Sequence, residues 1–134
     1  MTRGHARSLM TTPVTSISAE ATLAEIADLF ASQRISGVPV LDGEQHVVGF
    51  VSDTDIMNAM LNGRGSQATA FELMSAPVVT VDEFETTEDV MRAMRENNIH
   101  HVPVVRNRKL VGIITPTDVI RYLATVLPPP TQVG

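Results

Sequence analysis

Residues 38–55 read VPVLDGEQHVVGFVSDTD, and residues 102–118 read VPVVRNRKLVGIITPTD. Each is an apolar run, a polar turn and a second apolar run that closes on Gly-φ-φ (φ apolar), a hydroxyl residue and, three positions on, an aspartate. This pattern predicts two adjacent strands, Val38 to Leu41 with Val47 to Val51 and their later counterparts, covered on both faces. Pro39 and Pro103 carry no N–H, which places their strands at sheet edges or the prolines at a strand's first residue. A helix follows in each case, over about Asp53 to Leu61 and Pro116 to Val126.

Outward from these stretches the likeness continues. Met10, Pro13, Val14, Thr22 and Ile35 recur as Met74, Pro77, Val78, Thr86 and Ile99. Gly49, Ser52, Thr54 and Asp55 recur as Gly112, Thr115, Thr117 and Asp118 after a one-residue slip in the turn. The chain is thus two copies of one unit, each too small to close a core alone and each expected to bury its apolar face against the other about a pseudo-twofold axis. Val14 to Ile17 reads as a short strand. Leu23, Ile26, Ala27, Leu29 and Phe30 keep a helical period after Thr22, and Thr22 with Glu25, like Thr86 with Asp89, has capping-box spacing. The boundaries read as a flexible tail over 1–9, a first repeat over 10–62, a linker with a short helix over 63–73, a second repeat over 74–126 and a Pro-rich tail over 127–134.

A chain of 134 residues with 43% hydrophobic content suits one globular domain in two halves. The net charge of -5 and the absence of a basic face argue against sequence-independent nucleic-acid binding. Arg106, Arg108 and Lys109 sit at a hairpin tip. No cysteine is present, which excludes disulfides and thiol chemistry and fits a reducing cytoplasm. No apolar run has the length of a membrane span, and the first ten residues lack a signal-peptide core. The expected location is cytoplasmic.

The chemistry gathers at Gly49 to Asp55 and Gly112 to Asp118. Free N–H groups and the positive end of a helix dipole suit a phosphate, and a carboxylate there can accept from two ribose hydroxyls. The same residues also make good helix starts: Thr115 as N-cap, Pro116 at the first helical position, Asp118 as capping-box acid, with Ser52 and Asp55 doing likewise. For each pair taken singly capping is the stronger reading, and its double occurrence raises the ligand reading. No cofactor is required by any motif, and no H-E-x-x-H, nucleophile triad or phosphate loop argues for an enzyme.

The repeated unit, the xVPV strand and the G-φ-φ-S/T-x-T-D ending resemble the CBS domain family, in its stand-alone tandem form called a Bateman module, from Leu9 to about Ala124. The resemblance implies an α+β fold of two β-α-β-β-α repeats and two clefts that bind adenosine-containing ligands. One cleft would use Thr115, Thr117 and Asp118, with Thr15, Ile35 and Ser36 lining the base. The other would use Ser52, Thr54 and Asp55, with Val79 and Ile99. His100, at a position that often approaches phosphate in the family, is counted with either cleft or read as a half-exposed strand-edge residue. A metal pair of His100 and His101 is disfavoured, because neighbours on a strand point to opposite faces. Asp53 stands where the second copy has Pro116, which assigns the tighter or more highly charged ligand to the Asp118 cleft. Few arginines lie near either cleft, so AMP is favoured over ADP, ATP, NAD or S-adenosylmethionine. The implied role is a non-enzymatic regulatory module, a homodimer associating through helices, with Ala27, Phe30, Met57, Met60, Met91, Met94 and Leu123 as surface candidates and a separate regulated protein as a further partner. The alternative is a dimeric scaffold with empty clefts that contacts a partner protein.

Overall fold

The computed structural model describes residues 4–131. A short helix α1 (Ala6–Leu9) precedes β1 (Ile17–Ser18), α2 (Leu23–Gln33), β2 (Gly37–Leu41), β3 (Val47–Ser52) and α3 (Asp53–Leu61). The second copy repeats the order as α4 (Ala70–Leu73), β4 (Val81–Asp82), α5 (Thr87–Glu96), β5 (Val102–Arg106), β6 (Lys109–Ile114) and α6 (Pro116–Val126). Each copy forms a three-stranded sheet, β1-β2-β3 and β4-β5-β6, with the first pair parallel and the second antiparallel. The expected α+β class of two tandem units holds.

The capping chemistry explains where helices begin. Thr22 accepts from the Glu25 amide while the Glu25 carboxylate accepts from the Thr22 amide, a reciprocal pair that fixes the start of α2. Thr86 accepts from the Asp89 amide, but the Asp89 carboxylate turns to Arg92 instead, so α5 has half of that device. Asn107 and Arg108, with φ of 50° and 69°, form the two-residue turn that joins β5 to β6.

Two local expectations change. Pro39 and Pro103 are neither on edge strands nor at strand starts: β2 and β5 are the central strands. The missing N–H is tolerated because β1 and β4 are two residues long and begin pairing only at Val40 and Val104, one residue past each proline. For the same reason the strand expected over Val14 to Ile17 is confined to Ile17 and Ser18.

A larger correction concerns the tail read as flexible over 1–9, of which residues 1–3 lie outside the described residues. Ala6 is fully buried and Leu9 is 4% exposed, both in the core of the second copy with Val81, Val90, Val102 and Val104. Its counterpart α4 does the reverse: Ala70 is buried in the core of the first copy with Ile26, Phe30 and Val38, and Leu73 and Met74 pack against it. The backbone follows. Thr11 exchanges two hydrogen bonds with Ile113 of β6, and Ser75 exchanges two with Phe50 of β3. Each copy therefore caps the other's sheet with its own leading helix, and neither core is complete without the exchange. The exchange also accounts for two glycines: a Cβ on Gly49 would lie 2.1 Å from Met74 Sδ, and one on Gly112 would lie 2.5 Å from Met10 Sδ. The leading methionine of one copy lies against the motif glycine of the other.

The candidate dimer surface divides. Phe30 and Met94 are core residues, and Met91 and Leu123 pack against the second core. Ala27, Met57 and Met60 are exposed, and Leu61 and Ile120 join them on the outer faces of α3 and α6. At the other end, Leu127 to Thr131 are exposed and carry no regular structure, while the last three residues of the predicted tail lie outside the described residues. No helix among the described residues is long and apolar enough to cross a membrane.

Candidate ligand cleft

The end of β3 and the start of α3 face the segment before β5 across a cavity of about 370 Å³. From the first copy come Phe50, Ser52, Asp53, Thr54 and Asp55; from the second come Ser75, Pro77, Val78, Val79, Asn98, Ile99, His100 and His101. Six residues expected from the sequence, Ser52, Thr54, Asp55, Val79, Ile99 and His100, meet here. The polar side is the α3 start and the apolar wall is Pro77, Val78, Val79 and Ile99, the combination common to small-molecule pockets.

Asp55 caps its helix and still faces the cavity. Its Oδ2 accepts from the Ser52 amide at 2.8 Å and the Ser52 hydroxyl at 3.0 Å, and its Oδ1 accepts from the Ser75 hydroxyl at 3.2 Å. A carboxylate offers about four lone-pair directions. Three are engaged, and one on Oδ1 is left for a ligand hydroxyl. Capping and ligand roles are thus divided between the two oxygens of one side chain.

The corresponding residues of the second copy are arranged differently. Asp118 Oδ2 accepts from the Thr115 amide at 2.8 Å and the Thr115 hydroxyl at 3.1 Å, while Oδ1 accepts from the Thr11 hydroxyl at 2.7 Å and from Arg121 Nη1 at 2.9 Å. All four directions are filled and the side chain is 4% exposed. Burial pushes the Asp118 pKa up, but the bonds from Thr11, Thr115 and Arg121 outweigh it and hold the carboxyl below its ordinary value. The first copy has Asn58 where the second has Arg121, and this substitution supplies the fourth donor.

The other residues expected around Asp118 have partners and exposures of their own. Thr15 bonds Gln33 Oε1 at 2.7 Å, Ile35 packs against the first core, and Thr117 is exposed on the first turn of α6. The Ser36 hydroxyl lies 3.2 Å from His101 Nε2, beside the Asp55 cavity. Of the two motif aspartates, Asp55 is the one that lines this cavity and keeps an unfilled acceptor direction. His100 lines that cavity and also the groove toward Pro116 and Ile120.

Sequence reasoning did not place His101, Phe50, Ser75 or Asn98 in this cavity. His101 stacks obliquely on Phe50, with centroids 5.1 Å apart. Burial lowers its pKa, His100 adds to the lowering and Asp53 opposes it. Both histidines reach the cavity because they precede β5 and so escape the alternation of a strand. Among the described residues no group of three or more His, Cys, Asp or Glu side chains is placed to hold a metal ion. Ser75 was legible as the hydroxyl that follows Met74, as Thr11 follows Met10.

Residues 6–62 and 70–125 each match the CBS domain. The chain belongs to the CBS domain family. Both matches start at a leading helix, α1 or α4, four residues before the repeat starts read from the sequence. MJ1232 of Methanocaldococcus jannaschii is 35% identical over 86% of this chain, which spans 38% of the length of that protein. The CBS domain-containing protein YhcV of Bacillus subtilis is 32% identical, over 81% of this chain and 78% of its own. The crystal structure of the CBS domain pair of protein MJ0100 in complex with 5′-methylthioadenosine and S-adenosyl-L-methionine superposes with a TM-score of 0.80 at 27% identity, covering 90% of this chain and 96% of that one.

Proposed function

We propose that this chain is a regulatory, non-catalytic module that senses an adenosine-containing ligand in the Asp55 cleft. The observation that carries the reading is an unfilled acceptor direction on Asp55, a residue that lines a cavity to which the other copy contributes Pro77, Val78, Val79 and Ile99. The base lies between Val78, Val79 and Ile99, and a ribose hydroxyl donates to Asp55. The complex of the MJ0100 pair with adenosine derivatives supports this assignment. Because the two walls belong to different copies, an occupant ties β3 and α3 to the β5 side. It shifts the balance of states to the extent that it binds one arrangement better. Exposed Met57, Met60, Leu61 and Ile120 on α3 and α6 support a homodimer through these helices.

A thermal-shift series with adenosine, AMP, ATP, NAD and S-adenosylmethionine tests the reading on the parent and on Asp55→Ala. Saturation at about a hundred times the dissociation constant adds roughly 2.7 kcal/mol, a clear rise in melting temperature. A rise that vanishes in Asp55→Ala supports the sensor. No rise with any of them turns the assignment to the scaffold reading, in which Asp55 is a helix cap alone.

A further inference from the structure

The start of α3 lacks what a phosphate needs. Its first three amides are already bonded inside the chain: Asp53 N to Ser36 O at 2.9 Å, Thr54 N to Asp53 Oδ1 at 2.7 Å and Asp55 N to Ser52 Oγ at 3.2 Å. An anion at this helix end finds these donors engaged and the Asp53 carboxylate in its place. The charged side chains lining the cavity are Asp53 and Asp55, and among the described residues no lysine or arginine lines it. The two imidazoles do not reverse the balance. His101 is held by Phe50 and Ser36, and burial keeps it neutral at slightly alkaline pH. His100 stands exposed at the rim. Two carboxylates in a partly desolvated cavity repel a further anion and attract a cation.

We infer that the Asp55 cleft takes an adenosine whose 5′ substituent is uncharged or cationic and discriminates against 5′-phosphates. This rests on the proposed adenosine reading and names the ligand class within it. It departs from the preference for AMP that the scarcity of arginine alone gives, because the sequence does not show that Asp53 closes the helix end with its own carboxylate. The second copy has Pro116 at that position, so the exclusion belongs to the first copy.

Isothermal titration at pH 8 and low salt, with adenosine, 5′-methylthioadenosine, S-adenosylmethionine, AMP and ATP, tests the class. The expected order places the first three above AMP and AMP above ATP, with AMP weaker than adenosine by roughly tenfold and the gap narrowing as salt rises. In Asp53→Asn, which keeps an acceptor for the Thr54 amide, the ratio of adenosine to AMP affinity falls several-fold. AMP or ATP binding more tightly than adenosine to the parent overturns the inference and leaves the adenosine reading standing. So does an unchanged ratio in Asp53→Asn. Binding of none of the five overturns both.

Discussion

Asp55 and Asp118 close the same motif in the two copies and differ in what completes it. At Asp118, a hydroxyl from the leading segment of the other copy, an N-cap threonine and an arginine one turn along the helix fill every acceptor direction of a buried carboxylate. At Asp55 the same places hold Ser75, Ser52 and Asn58, and the absence of a fourth donor leaves one direction unfilled. The lesson is that a shared motif fixes a helix start, and the residue one turn further along decides whether that start is also a site. A fully satisfied polar cluster is structural material; one open direction in it is a place for a ligand.

The comparison breaks first on stability. Asp118→Ala removes a cap, the partner of the Thr115 amide and the tie to Thr11 of the other copy, at a cost of about 3 kcal/mol, whereas Asp55→Ala, half-buried and less engaged, costs about 1 kcal/mol. Urea denaturation of both variants checks this, and equal losses would erase the structural distinction between the two aspartates. Next in size is the packing that brings the copies together. Gly49→Ala and Gly112→Ala each cost about 1–3 kcal/mol by overpacking against Met74 and Met10, and Met74→Ala or Met10→Ala in the same chain recovers part of the loss.

Exchanging the residue that distinguishes the two aspartates sharpens the contrast. Asn58→Arg supplies the missing donor and weakens adenosine binding by about tenfold, the loss of one hydrogen bond to a charged acceptor. Arg121→Asn reopens Asp118 Oδ1 and lowers stability by about 0.5–1 kcal/mol, since the Arg121 side chain is largely exposed. Competition titrations and melting curves read the two effects. The smallest expected effect is one of pH. The folded chain holds His101 below its ordinary value of 6.5, by burial and by His100 against the pull of Asp53, so on acidification the unfolded chain takes up this proton first. Stability contributed at this site is full above about pH 6.5, falls as the pH drops below it, and stops falling once the folded form is also protonated. Melting curves between pH 7.5 and 5.5 show a shallower fall for His101→Gln than for the parent.

Much of this was legible. The repeat gave the number of sheets, and the Thr22–Glu25 and Ser52–Asp55 spacings gave helix starts, because capping is local. Asp118 with Arg121 is also local, three residues apart on one helix. The closure of Asp118 by Thr11, 107 residues away, was hidden, since no local pattern reports which copy a leading segment packs on. The burial of Ala6 and Leu9 was hidden likewise: a four-residue helix has no period to read. The signal lay in its recurrence, Ala6, Leu9 and Met10 against Ala70, Leu73 and Met74, which places the leading helix inside the repeat. The central prolines misled because proline excludes pairing on one flank, and here that flank is unpaired within a central strand.

The most direct test of the account is the stoichiometry of adenosine binding by isothermal titration on the parent, Asp55→Ala and Asp118→Ala. The account predicts one site per chain, lost in Asp55→Ala and retained in Asp118→Ala under conditions where circular dichroism shows that variant folded. Two sites per chain, or a single site that survives Asp55→Ala and disappears in folded Asp118→Ala, would contradict it.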